Sequence, residues 1–231
     1  MSENSSAART DWAEAAEQRV LDAALPLTAD FGWTSRLIAH AAKACGLNAG
    51  DAELLFPNGP RDLAALLSRR HDAKALAALG PEFDALKVRE KIARAVEARL
   101  EAAAADEPAT GWWSGFLVLP QNMDLGFRLA WESADGLWRR AGDVSTDENH
   151  YSKRAILAAI LVSALAVRRQ HGKAEADAYV ARRIENVMSF EKLKARAKSP
   201  LGLETIAGAL ARFRYGRGGD APEGHDRAGA G

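Results

Sequence analysis

Apolar residues recur along most of this chain at intervals of three and four, the period of an α-helix. Ala16, Val20, Ala23, Ala24 and Leu27 form one such stripe over residues 11–28. Gly32 interrupts it. Thr34 then offers an N-cap to a second helix with Leu37, Ile38 and Ala41 inward, closed by Gly46. Leu47 and Asn48 make a turn, residues 49–56 a short third helix, and Pro57-Asn58-Gly59-Pro60 a stop. The pattern predicts a fourth helix over 62–79, ended by Gly80-Pro81, and a fifth over 82–105 with Leu86, Ile92, Val96 and Leu100 apolar. Residues 112–119 read as a short apolar helix cut by Pro120, and Asn122 is placed to cap a seventh helix ending at Arg140.

Residues 142–154 then pack polar and charged side chains between two apolar segments. Ser145-x-x-Glu148 matches a capping box, so the eighth helix is expected to start near Asp147 and run to about Gln170. Gly172 separates it from a ninth over 174–197. Ser199-Pro200 opens a tenth segment, 201–215, with Leu203, Ile206, Ala207, Leu210 and Phe213 at helical spacing. The Gly-, Asp- and Ala-rich residues after it read as a disordered tail. No stretch reads as a strand, so the expected fold is all-α. The expected divisions are an N-terminal unit over 11–60, a helical bundle over 61–198, an amphipathic helix over 199–216 and a tail over 217–231.

Composition narrows the function. The 31 basic and 31 acidic residues balance, so no global field attracts nucleic acid or membrane. A single cysteine, Cys45, excludes a disulfide framework and a cysteine-based zinc site, and reads as a small buried residue. The longest uncharged apolar run, residues 155–167, is shorter than the roughly 20 residues of a membrane span. The first ten residues have no apolar core of a signal peptide and are followed by Asp11, Glu14 and Glu17. With the Ala- and Arg-rich composition, this suggests a bacterial cytoplasmic protein. No dinucleotide fingerprint, phosphate loop or nucleophile elbow occurs, and the five histidines are scattered. Asp147-x-x-His150 has ligand-like spacing but stands alone, so no metal, cofactor or catalysis is expected.

Three features could carry function. The first three helices have the layout of a helix-turn-helix, in strings that resemble tetracycline-repressor-like regulators: residues 20–25, Gly32-Trp33 and residues 41–47. The candidate recognition helix carries Asp51 and Glu53 and no basic residue, which argues against reading DNA. A ligand-responsive transcription regulator is therefore the second reading. Apolar residues of the later helices could line a lipid-sized pocket: Trp112, Phe116, Phe127, Leu157, Ile160, Leu161, Leu165, Ile184, Val187 and Met188. Residues 191–217 hold seven basic and two acidic residues, so Leu203, Ile206, Leu210 and Phe213 read as the apolar face of a membrane-surface helix.

Longer strings carry a family likeness. Gly142-Asp143-x-Ser145-Thr146-Asp147-x-Asn149-x-Tyr151-x-Lys153-Arg154, preceded by Leu119-Pro120-Gln121-Asn122 and Trp138, resembles the lipid-binding accessory protein of ubiquinone (coenzyme Q) biosynthesis. So do Leu55-Phe56-Pro57-x-Gly59-Pro60 and Arg182-Arg183-Ile184-x-Asn186-Val187-Met188-x-Phe190. The resemblance implies a homodimeric, repressor-like helical bundle that does not bind DNA. It implies an isoprenoid or quinone lipid as ligand, and a C-terminal helix lying on the inner face of the membrane. It also implies a partner, the di-iron demethoxyubiquinone hydroxylase, met through the surface around Asp147, Asn149, Tyr151 and Arg154. Glu148 and His150 stand where that family usually has aromatic residues, and His150 is counted with the expected partner-binding set.

Overall fold

The computed structural model describes the backbone of residues 2–144 and 148–197, and the side chains of residues 12–144 and 150–186. Among these residues there are helices and turns and no strand. Two units are distinguished, Met1–Arg183 and Ile184–Gly231. The first holds α1 (Ser2–Ala24), the single-turn α2 (Thr28–Phe31), α3 (Ser35–Ala44), α4 (Ala49–Leu55), α5 (Pro60–Ala77), α6 (Val88–Ala104), α7 (Ala109–Leu117), α8 (Met123–Arg140) and α9 (Glu148–His171). It also takes in the start of α10 (Lys173–Ala197). The helix of the second unit is the remainder of α10; the expected segment at 199–216 lies outside the described residues.

Local signals place most boundaries. Gly46 takes a positive φ where α3 ends, and the Leu47 amide donates back to Ala42 O at 2.9 Å, a glycine-terminated helix end. Asn48 caps α4 in a reciprocal pair: the Asp51 amide donates to Asn48 Oδ1 and the Asn48 amide to Asp51 Oδ2, both at 3.0 Å. The expected Asn122 and Thr34 caps are not made. Asn122 is buried and donates to Phe116 O at 3.0 Å, while Thr34 donates back to Phe31 O at 2.9 Å. The expected fifth helix begins with a 3-10 turn, Pro81–Ala85, because Pro81 and the extended backbone at Leu86 and Lys87 delay the α-helix to Val88.

The core of the N-terminal half joins Val20, Leu21, Leu37, Leu63 and Leu67, with Trp33 and Trp113 closing it. Both indoles are pegged to α5: Trp33 Nε1 donates to Pro60 O at 3.0 Å and Trp113 Nε1 to Ala64 O at 2.9 Å. Cys45 is half-buried and its thiol donates to Arg19 O at 3.4 Å. In the bundle, α8 packs on α9 and on α5, and α5 on α6. The stretch His150–His171 of α9 is long and apolar enough to cross a membrane by length and composition. It is one-sided rather than a core helix all round: Leu157, Ile160, Leu161 and Ala164 are buried, while Ala155, Ile156, Ala159, Val162 and Ala166 face outward.

Buried polar groups tie these helices together. Arg99 on α6 donates to Asp72 on α5 at 2.6 Å, and Ser133 on α8 donates to the other Asp72 oxygen at 2.9 Å. His71, fully buried on α5, lies 2.9 Å from Asp106. Burial and the nearby Arg99 charge push its imidazole down to about 3, against the opposing pull of Asp106. A neutral ring beside a carboxylate donates through Nε2, which leaves Nδ1 without a hydrogen bond among the described residues. Because the unfolded chain protonates this histidine near 6.5 and the folded protein does not, stability falls as the pH drops from about 6.5 toward 3. Replacing His71 with Gln should flatten this acid slope in urea unfolding measured at pH 7, 5.5 and 4.5. A slope equal to that of the unaltered protein would count against the assignment.

Candidate functional site

An open cleft of about 620 Å³ lies beside α7. Its wall is Trp112, Phe116 and Leu119, its floor Gly32-Trp33-Thr34 with Gly111 and Gly115, and Glu107, Pro108 and Arg169 reach its edge. The helix phase explains the wall. Trp113 turns inward to α5, so its neighbour Trp112 must turn out and is 46% exposed. Gly32 sits at φ 60°, ψ −167°, a region open to glycine alone, and brings the turn under the Trp112 ring. A side chain at Gly111 would meet Arg169 Nη2 at 2.5 Å, so this glycine makes room for the guanidinium. Arg169 pairs with Glu107 at 3.1 Å. The cleft thus offers aromatic walls and one polar edge with balanced charge, suited to an apolar molecule with one polar end.

A second cleft, about 820 Å³, runs between α3 and α4 and is lined by Ile38, Ala42, Leu47, Ala52 and Phe56. On α4, Asp51 is occupied in capping and Leu54 is exposed, so this short helix presents no cation to a nucleic acid.

The lipid residues expected from sequence separate into three groups. Trp112 and Phe116 line the first cleft. Leu157, Ile160 and Leu161 are buried in helix packing rather than around that cleft, Leu165 packs against the N-terminal core, and Ile184 is buried. Phe127 corrects the expectation of an inward face: it is 70% exposed, because Leu125, Leu129 and Ser133 form the buried side of α8 and Phe127 falls opposite. Val187, Met188, Leu203, Ile206, Leu210 and Phe213 lie outside the described side chains.

The start of α9 forms the other candidate surface. Asp147 and the Asn149 side chain are outside the described residues, as is the expected capping Ser145. Tyr151 is 64% exposed, and its ring lies 5.1 Å from His150 and 6.1 Å from Trp131 of α8. Arg154 corrects the expected exposed contact: it is 1% exposed. Its Nε donates to Asp135 at 2.5 Å, and its Nη1 to Asp143 at 3.0 Å and to the His150 carbonyl at 3.2 Å. Burial disfavours the charge, but the two carboxylates outweigh it and hold the guanidinium above its ordinary value. Asp143 also takes Lys153 at 2.8 Å, and the Trp138 indole donates to Lys153 O at 3.1 Å. Gly142, at φ 92°, ends α8 and lets the Asp143 amide reach Trp138 O at 3.0 Å.

This stretch is where family comparison is specific. The COQ9 family model matches residues 123–191, from the first residue of α8 into α10. Over a longer stretch the chain is similar to COQ9 proteins. The rat "Ubiquinone biosynthesis protein COQ9, mitochondrial" is 31% identical over 158 residues, 64% of this chain and 49% of its own length. The Xenopus tropicalis protein of that name is 32% identical over 159 residues, again 64% and 49%. The human one is 30% identical over 158 residues, 64% and 48%. The chain therefore spans about half the length of the curated COQ9 relatives it matches. These relatives are mitochondrial proteins of vertebrates, which overturns the expectation of a bacterial cytoplasmic protein. That expectation rested on composition and the first residues, and neither encodes a compartment by itself.

Sequence reasoning missed Arg169 and Glu107 at the cleft, and Asp135 beneath Arg154. An acidic residue on a mixed helix face carries no signal of the arginine it will meet nineteen positions later. The Gly142-Asp143 pair did carry one, since glycine ending a helix fixes the direction of the next residue. Gly32→Ala should cost roughly 1–3 kcal/mol through backbone strain alone, since Trp112 leaves room for the added carbon. Chemical denaturation measures it, and an unchanged midpoint would count against a strained turn.

Proposed function

We propose that this protein is a non-catalytic accessory protein of ubiquinone biosynthesis that binds a polyprenyl quinone intermediate and presents it to a hydroxylase. The relation to COQ9 supports the pathway. The observation that carries the lipid part is the cleft beside α7, whose aromatic walls and single ion-paired edge match a molecule with an apolar tail and a small polar ring. In this reading Trp112, Phe116 and Leu119 hold the apolar part, and Arg169, oriented by Glu107, donates to a ring oxygen. The partner is the demethoxyubiquinone hydroxylase, met near His150 and Tyr151. In this reading the protein acts as a repressor-like homodimer, with the 199–216 segment meeting the membrane surface.

The test is mass spectrometry of lipid carried through purification. An isoprenoid quinone or its precursor is expected in the unaltered protein. Trp112→Ala and Phe116→Ala should each weaken binding of a short-chain quinone about tenfold or more, the equivalent of burying one aromatic side chain. Folding should change little for Trp112→Ala, since the ring is half exposed. A protein that carries no apolar molecule and binds no short-chain quinone would sink the reading.

A further inference from the structure

The resemblance puts Arg154 among the residues a partner touches, but the side chain is 2% exposed and its bonds to Asp135, Asp143 and the His150 carbonyl run inward. We infer that Arg154 is a positioning residue: from beneath, it locks the first turns of α9 onto α8 so that the surface offered to a partner protein is the aromatic set Trp131, His150 and Tyr151.

The geometry is a pair of stacked contacts between the same two helices. On α8, Trp131 and Asp135 stand one helical turn apart. On α9, Tyr151 and Arg154 are three residues apart and share a face. Asp135 therefore meets Arg154 inside, while Trp131 meets Tyr151 outside at 6.1 Å. The third Arg154 bond goes to the carbonyl of His150, the residue next to Tyr151 in sequence and 5.1 Å from it ring to ring. The fork matters here, because one guanidinium joins Asp135 on the α8 shaft, Asp143 just past its end and the α9 backbone together. A single ammonium point charge could not span three such acceptors in fixed directions. Lys153 and Trp138 brace the same turn from the side, through Asp143 and the Lys153 carbonyl. Trp131 thereby joins the surface although it lies on another helix, eleven positions upstream of the motif that begins at Gly142. Large aromatic side chains held rigid and part exposed are what a protein partner anchors on.

The inference rests on the reading of this surface as partner-facing, but one arm of its test does not. Amide hydrogen exchange over residues 150–153 is measured in Arg154→Met and in the milder Asp143→Asn, which removes one arm of the clamp if the first variant folds poorly. Exchange there should quicken tenfold or more in both, with the α5 and α6 amides unchanged. Affinity for a purified demethoxyubiquinone hydroxylase is then compared among Arg154→Met, Tyr151→Ala, Trp131→Ala and the Arg154→Met/Tyr151→Ala pair. Arg154→Met should lose as much affinity as Tyr151→Ala, and the pair no more than either alone. Unchanged exchange in both clamp variants overturns the positioning role. Additive losses in the pair also overturn it, since Arg154 would then be a contact in its own right. No binding by the unaltered protein overturns the partner assignment of the surface, and the exchange result then decides the positioning role alone.

Discussion

The bundle hangs on α8, and what holds α8 in place is buried charge. Ser133 on its inner face joins the Asp72–Arg99 pair that spans α5 and α6, and Asp135, two residues on, takes Arg154 from α9. Apolar packing alone would leave α8 free to slide, because Ala- and Leu-lined faces are similar along their length. Directional ion pairs have no such degeneracy. Removing one partner of such a pair strands a charge at a cost of about 3–5 kcal/mol. The register of four helices is therefore set by two guanidinium groups, and both candidate surfaces inherit their geometry from it.

The two surfaces depend on this frame in different ways. At the cleft, α7 is pegged by Trp113 to α5, and the outward turn of Trp112 follows from helix phase. Glycine contributes space: Gly32 permits a backbone turn closed to other residues, and Gly111 admits Arg169. At the start of α9, the polar residues that make the sequence conspicuous are mostly structural. Arg154, Lys153 and Asp143 form the clamp, and the exposed groups are the rings resting on it. A conspicuous motif thus divides into a buried support and a smaller displayed surface.

A similar division holds at α3 and α4. The order of α3, turn and α4 is retained, and the turn is well made. Asp51, which would repel phosphate, instead closes the cap of the helix that carries it. The acidic residue of α4 thus serves the start of its own helix, and α4 carries no basic residue.

Helix existence and order were legible from sequence, because the 3.6-residue stripe and the Gly and Pro stops are local properties. Gly46, Gly59 and Gly142 end or begin elements where expected, all at positive φ. Local reading failed where a side chain had two possible partners: Asn122 and Thr34 suit capping, yet each bonds elsewhere once neighbouring backbone is in place. It also failed on direction. Phe127 and Leu129 look alike in a hydrophobic count, but helix phase relative to α5 puts one in solvent and the other in the core. Arg154 looked like surface because arginine usually is; only the arrival of Asp135 and Asp143 from α8 makes its burial stable. The chain by itself determined what kind of elements form, since that depends on neighbours three and four residues away. Tertiary structure alone decided which residues are buried and which line a cleft or an exposed surface, since that depends on charges and faces brought together from helices far apart in sequence.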